Sequence, residues 1–255
     1  LRGGGLNILG NNCTVYDVDV SDNNACTDGG AVYVKGNDAT FYNVTSFNNT
    51  ASRGGSTFIE GDNVLVHNCT LDGNQALSNG SDNSGRGGAL DIAGKNCQVY
   101  DLDVSNNHAD NDGGAMYIKS DDLEVYDINS VDNSANLGGS TFIEGNNIVV
   151  HDCIFDGNNA TLRGGGLNIL GENCTVYDVE VSDNYASAEG GAVYVRGNDA
   201  TFTNVTSVNN TAAKGGSTFI EGNNADVHNC TLDGNKALYN GTEGSGRGGG
   251  IDIAG

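Results

Sequence analysis

"RGGGLNILGENCTVYDV" occupies Arg163–Val179, and "RGGGLNILGNNCTVYDV" has already occupied Arg2–Val18, with Asn11 where the later copy has Glu172. Duplication on that scale points to a chain built by stacking copies, so the repeat is read before any motif. Each unit opens with a Gly-Gly pair, preceded by Arg2, Asp28, Arg53, Arg86, Asp112, Leu137, Arg163, Glu189, Lys214 and Arg247. The spacings of 26, 25, 33, 26, 25, 26, 26, 25 and 33 residues give nine full units and the start of a tenth. Units run in cycles of three, typified by "GGGLNIL", "GGAVYVKG" and "GGSTFIEG". The two long units carry extra residues, "SNGSDNSG" at 78–85 and "YNGTEGSG" at 239–246. The "GGSTFIEG" unit that begins at Gly138 lacks them, which marks them as loop insertions.

Within a unit the hydrophobic period is two. In "AVYVK", Val32 and Val34 share one face, while Ala31, Tyr33 and Lys35 share the other. "CTVY" follows with Cys13 and Val15 inward, then "VDV" with Val18 and Val20 inward. Three short strands per coil of about 25 residues, parted by Gly and Asn/Asp corners, predict an all-β chain: a right-handed parallel β-helix. The whole span 1–255 reads as one solenoid segment of nine to ten coils, an excerpt of a longer repeat protein. A helical solenoid would need longer amphipathic runs and far less Gly and Asn.

The columns of the stack follow from the alignment of units. Asn23, Asn49, Asn74, Asn107, Asn133, Asn158, Asn184, Asn210 and Asn235 fall at one point of the coil and are expected to form a structural ladder. A second column is always Asp or Asn, from Asp17 and Asn43 through Asn204 and Asn229. Both are placed between strands, where these side chains tolerate left-handed backbone and bond local groups. Stacked about 4.8 Å apart, their amides can also bond one another along the rod. Outward positions pair too: Tyr33 with Phe58, Lys35 with Glu60, and Arg2 with Asp28 and Arg53.

A net charge of −22, from 33 acids against 11 bases, excludes nucleic acid and anionic membrane as partners. No apolar run of about 18 residues exists, so no membrane insertion is expected in this segment.

"GGAV" (Gly29–Val32 and Gly190–Val193), "GGAM" (Gly113–Met116) and "FDGN" (Phe155–Asn158) carry a resemblance. They resemble the GGA[ILV] and FxxN motifs of polymorphic outer-membrane protein repeats. Elsewhere the second motif reads "VSDN", "SFNN" or "LDGN", which keeps the Asn and relaxes the Phe. The Asn- and Asp-rich units are also similar to adhesin-like β-helix proteins of methanogenic archaea. The resemblance covers the whole chain and implies an extracellular, cell-surface location and adhesion or fibre duty rather than catalysis. No ligand follows from it.

Other parallel β-helices are polysaccharide lyases and hydrolases, which need an acid cluster that occurs once and lies in a cleft. Here the acids recur with the repeat, so no catalytic residue is assigned. His67, His151 and His228 share a column three coils apart, too far to share one metal ion, and His108 falls in a loop, so no metal ligand is assigned either. Cys13, Cys97 and Cys174 share one inward column, and Cys69, Cys153 and Cys230 another, placing Cys69 and Cys97, and Cys153 and Cys174, on adjacent coils. Disulfides Cys69–Cys97 and Cys153–Cys174 are one reading; small buried hydrophobes are the other, because the two columns lie about five residues apart on different strands. Cys26 has no counterpart and reads as a free loop thiol. Among eleven N-x-S/T sequons, Asn79 and Asn240 in the insertions are the expected glycosylation acceptors. Cofactors are expected to be none, with calcium at acidic turns such as "SDNNACTD" set against simple solvation.

The expected function is therefore a non-catalytic adhesin or extracellular fibre segment, with surface glycans, neighbouring cells or copies of itself as partners. Its alternatives are a polysaccharide lyase or hydrolase and a purely structural spacer or filament subunit.

Overall fold

Every coil begins with a backbone requirement that only glycine meets. Gly113 has φ 65°, in the left-handed region, and a Cβ on Gly114 would stand 1.9 Å from the carbonyl oxygen of Gly139 in the next coil. The Gly-Gly pair thus lets successive coils approach at one corner, and the chain leaves it as a short strand. The computed structural model describes residues 2–81, 83–241 and 244–255. Asp82 in the first insertion, and Thr242 and Glu243 in the second, lie outside the described residues.

The chain is all-β, a parallel β-solenoid of about nine turns and about 26 residues per coil. Strands such as Leu6–Leu9, Val32–Lys35 and Thr57–Glu60 make a first sheet of ten strands, ending in Ile251–Ala254. The second sheet has 13 strands and the third has eight, every pairing parallel. Each first-sheet strand aligns with the next without slippage, as Val32↔Thr57 and Lys35↔Glu60 do. The residues before the Gly-Gly pairs bridge one another from Asp28↔Arg53 to Lys214↔Arg247, so the insertions leave the register intact.

Three strands per coil are present, divided differently from the sequence expectation. "TVY" and "VDV" belong to one continuous strand, Thr14–Ser21, bent at Asp17 with φ 52°. Left-handed residues recur at intervals of five, as in Asn12, Asp17 and Asp22 or Asp122, Asp127 and Asp132. Short Asx side chains tolerate that conformation and turn the sheet without ending it. In later coils the bend splits the strand, as in Ile148–His151 and Ile154–Asp156. The third sheet comes from a segment with no evident period, the N-x-A triplets. Its strands are short, for example Thr50–Ala51, Gln75–Ala76 and His108–Ala109. His108 is thus in a strand rather than a loop.

The core is the inside of this coil. Val32, Val34, Ile59, Ile92, Ile118 and Ile143 from the first sheet face Val66, Val99, Leu102 and Val125 from the second, all at most 3% exposed. Small alanines, Ala76, Ala109 and Ala135, let the third sheet close against them. One coil alone would leave its apolar edges open; stacking buries them, which is the physical use of the duplication.

The outer face of the first sheet is buried as well. Tyr33 and Phe58 point outward yet are 1% and 2% exposed. Their rings stack at 5.7 Å, and the guanidinium groups of Arg2 and Arg53 fold over them, 5.0 and 4.4 Å from the ring centres. Every third coil puts Asp91, Asn168 or Asp252 where its neighbours have a ring. Arg86 then covers Asp91 and stacks over Tyr117 at 4.1 Å.

Candidate functional site

The asparagine column is the most regular polar structure in the rod. Asn133 donates its backbone N–H and its Nδ2 to Asn158 Oδ1 at 3.0 and 3.1 Å, and its own Oδ1 accepts the same pair from Asn107 at 2.9 and 3.0 Å. The pattern begins at Asn23→Asn49 and runs through Asn74, Asn184 and Asn210 to Asn235. Nδ2 of Asn133 also donates to Val104 O and Ser130 Oγ. These residues are not among those in the left-handed region, and from Asn49 to Asn210 their side chains are buried. The second column, from Asp17 to Asn229, is the left-handed one, with exposed side chains and bonds such as Asn204 Nδ2→Asp178 Oδ1 at 2.9 Å. Each column spends its side-chain bonds on its own copies above and below, which leaves the chemistry to places where the repeat is broken.

One such place is the insertion at 78–85. Beneath it Asp28 is 2% exposed and held between two arginines, Arg2 Nε at 2.8 Å and Arg53 Nε at 2.7 Å. A polar pocket of about 480 Å³ lies between this clamp and the loop, lined by Arg2, Arg53, Asn79, Ser81 and Asn83 among others. The loop is tied down by Gly85 N–H→Ser52 O at 2.6 Å and by Ser84 Oγ→Ser81 O at 2.7 Å. The same clamp recurs as Arg163–Glu189–Lys214, at 2.8 and 2.9 Å, where Gly246 N–H→Ala213 O brings the second insertion back at 2.7 Å.

A second concavity, about 530 Å³, follows the corner between the first and second sheets past Ala93, Lys95, Lys119, Asp121 and Glu144. It lies where Ala93 interrupts the outward charge column. Both of its lysines are already paired, Lys119 Nζ–Glu144 Oε1 at 2.6 Å and Lys95 Nζ–Asp121 Oδ2 at 3.6 Å, and Asp62 Oδ1 accepts Lys95 N–H at 2.9 Å. Farther along the same column Lys35 and Glu60 pair at 2.8 Å.

The histidine column is part of something larger than histidine. Tyr16, Tyr42, His67, Tyr100, Tyr126, His151 and Tyr177 stack face to face with centroids 4.6 to 5.3 Å apart. The signal was in the sequence: each ring is the third residue of "TVY", "TFY", "LVH", "QVY", "EVY", "VVH" and "TVY". Because every inner ring has both faces covered, the ridge presents ring edges and hydroxyls rather than stacking faces. His228 continues the column after Thr203, to which it bonds at 3.1 Å.

All seven cysteines are free, so the disulfides Cys69–Cys97 and Cys153–Cys174 are not formed. Cys69 stands opposite Leu102, and Cys174 opposite Ile148, so each expected partner lies five residues away along the sheet. The inner thiols behave as hydrophobes: burial pushes Cys69 up to about 11 and Cys153 and Cys174 up to about 12. Cys26 is exposed. Asn79 and Asn240 are exposed in their insertions, and Asn79 Oδ1 accepts from Ser81 N–H and Ser81 Oγ at 3.1 and 2.8 Å. In the acidic turn from Ser21, both oxygens of Asp28 are taken by arginine. Among the described residues no three His, Cys, Asp or Glu side chains converge as metal ligands. No helix among them is long and apolar enough to cross a membrane. Compared with protein-family models, curated proteins and solved structures, the chain matches none of them.

Proposed function

We propose that the chain is a non-catalytic segment of an extracellular rod, of the adhesin or surface-fibre kind, that carries recognition loops away from a cell. One observation carries this reading: the two insertions leave the same corner of an otherwise in-register stack, 161 residues apart. Six coils at about 4.8 Å separate them by roughly 29 Å along one edge. Duplication of coils lengthens such a rod without redesign, and loops can change without disturbing the ladder that supports them.

Catalysis would require an acid or base that departs from the repeat and can be reached. The acid that departs furthest from ordinary behaviour, Asp91, is fully buried beneath Arg86, out of reach of a polymer. The test is to incubate the purified segment with a panel of cell-wall and host-type polysaccharides and to record binding and released product together. Binding without product supports the rod. Product release that one acidic substitution abolishes would overturn it.

A further inference from the structure

We propose that the corner groove at Ala93 binds a neutral glycan chain, lying along the rod with one sugar ring in the gap that Ala93 leaves. This rests on the recognition-rod reading above and places a ligand on the rod itself, away from the insertions. Two columns border the groove, and both depart from the repeat in the same coil. In the outward column, Ala93 stands where the cycles before and after have Leu9 and Leu170. The charges on either side pair away from it, Lys35 with Glu60 at 2.8 Å and Lys119 with Glu144 at 2.6 Å. The gap between the Glu60 and Lys119 coils is thus two coil spacings, about 9.6 Å, with only a methyl group at its floor. The concavity of about 530 Å³ at this gap shares Asp62 and Ala93 with another of about 470 Å³ past Asn11, Lys35 and Glu60. Joined, they run from the coil of Asn11 to that of Leu170, roughly 29 Å, a length that suits an extended chain rather than a compact ligand.

The second departure is Lys95, the only base in the corner column that runs from Asn11 to Asn223. Its neighbours in that column accept the backbone N–H of the next coil. Asn37 accepts from Asp62 at 3.0 Å, Asp62 from Lys95 at 2.9 Å, and Asp121 from Asn146 at 3.0 Å. A lysine has no acceptor, so Asp121 N–H gains none from Lys95. The gap is therefore bordered by two donors, Asp121 N–H and the Lys95 ammonium, which is 71% exposed and tied only by its 3.6 Å contact to Asp121. It also has an acceptor. Asp62 spends Oδ1 on Lys95 N–H, and its Oδ2 has no partner among the described residues. Donors beside an acceptor match a hydroxyl group, which both gives and takes a hydrogen bond. Three lysines and four acids line the whole groove, so its charges nearly balance. A carboxylate there would meet Asp62 and Asp121, and an ammonium would meet Lys95, whereas a neutral sugar meets neither penalty.

The experiment titrates the intact chain calorimetrically with neutral tetrasaccharides of glucose, mannose, galactose and N-acetylglucosamine, with galacturonate and glucosamine tetramers as charged controls. At least one neutral tetramer is expected to bind, more tightly than its own monosaccharide and than either control. Ala93→Leu and Lys95→Asn install the residues that Leu170 and Asn11 supply at the same places in other cycles, so both variants fold, which circular dichroism checks. Each should weaken binding at least about tenfold, the scale of one charge-assisted hydrogen bond. Asn79→Ala, in the first insertion, leaves binding unchanged. Neutral binding that neither groove variant moves overturns the groove and leaves the rod reading standing. Tighter binding of a charged control overturns the neutral class of ligand. Absence of binding by every neutral tetramer also overturns the groove, and the rod reading is then judged by product release alone.

Discussion

Asp91→Asn should make the protein more stable at alkaline pH while changing little at acid pH. Asp91 is 0% exposed, set in the ring column between Phe58 and Tyr117, and its Oδ1 has no hydrogen-bond partner. Arg86 approaches its Oδ2 at 3.3 Å, but the ion pair is loose, because Arg86 Nε is also unpartnered. Burial pushes the Asp91 carboxyl up from an ordinary 3.8 to about 7, and the pull of Arg86 and Arg53 only partly offsets it. The Arg86 contact and burial pull the carboxyl in opposite directions, and burial wins, since a single long contact does not replace the hydration of a carboxylate. Between those two values the folded chain holds a proton that the unfolded chain has released, so stability falls as pH rises through that window. Three units at 1.36 kcal/mol each amount to about 4 kcal/mol as an upper figure, complete above about pH 8. Asparagine is nearly isosteric with the protonated acid, and Asn168 already fills the equivalent place one cycle on. The variant and the parent should therefore give similar urea midpoints near pH 4 and separate steadily to pH 8, the variant being the more stable. Parallel curves across that range would refute the assignment of a proton to the buried carboxyl at neutral pH.

Three other outcomes follow from the same geometry. Asn133→Ala removes the acceptor of Asn107 N–H and strands a buried donor within the ladder, a loss of about 1 to 3 kcal/mol by denaturant unfolding; a loss under about 0.5 kcal/mol would mean the ladder is decoration. Gly114→Ala forces a Cβ to within 1.9 Å of Gly139 O, so the two coils must part; soluble, fully folded protein in normal yield would contradict that contact. In native protein a thiol reagent should label exposed Cys26 first, and buried Cys69, Cys97, Cys153 and Cys174 only on unfolding; rapid labelling of Cys153 would show that its coil opens readily.

The stack was legible because its evidence is repetition: the Gly-Gly pairs, the Asn column and the Lys35–Glu60 pairing each recur in register. The features that are not legible lack either length or a neighbour in sequence. The N-x-A strands, two residues at Thr50–Ala51, are too short to show a period, and only coil-to-coil bonds make them a sheet. Tyr33 falls on the outward face of the strand period, yet it is 1% exposed. It is buried because Arg2, thirty-one positions away, lies across it, which no strand period contains. His67 shares its type with His151 and His228, but its physical neighbours are Tyr42 and Tyr100. Cys69 and Cys97 lie on adjacent coils, but a disulfide also depends on position along the strand, and there the columns part.

The same reasoning indicates where function can reside in such a rod. A residue that recurs in every coil is held by its copies above and below, and its donors and acceptors are spent on them, as at Asn133 or Lys119–Glu144. Binding another molecule there would cost the ladder its own bonds. Only a departure from the repeat leaves groups with unspent capacity. Arg53 differs from Leu137 in the next cycle, and the loop that follows Arg53 is missing after Leu137. Asp91 differs from Asn168; both leave a buried Oδ1 without a partner, but only Asp91 is an ionisable carboxyl. The first departure faces outward and has donors to offer; the second is sealed and can only answer to pH. The uniform columns are the frame that holds such departures in place.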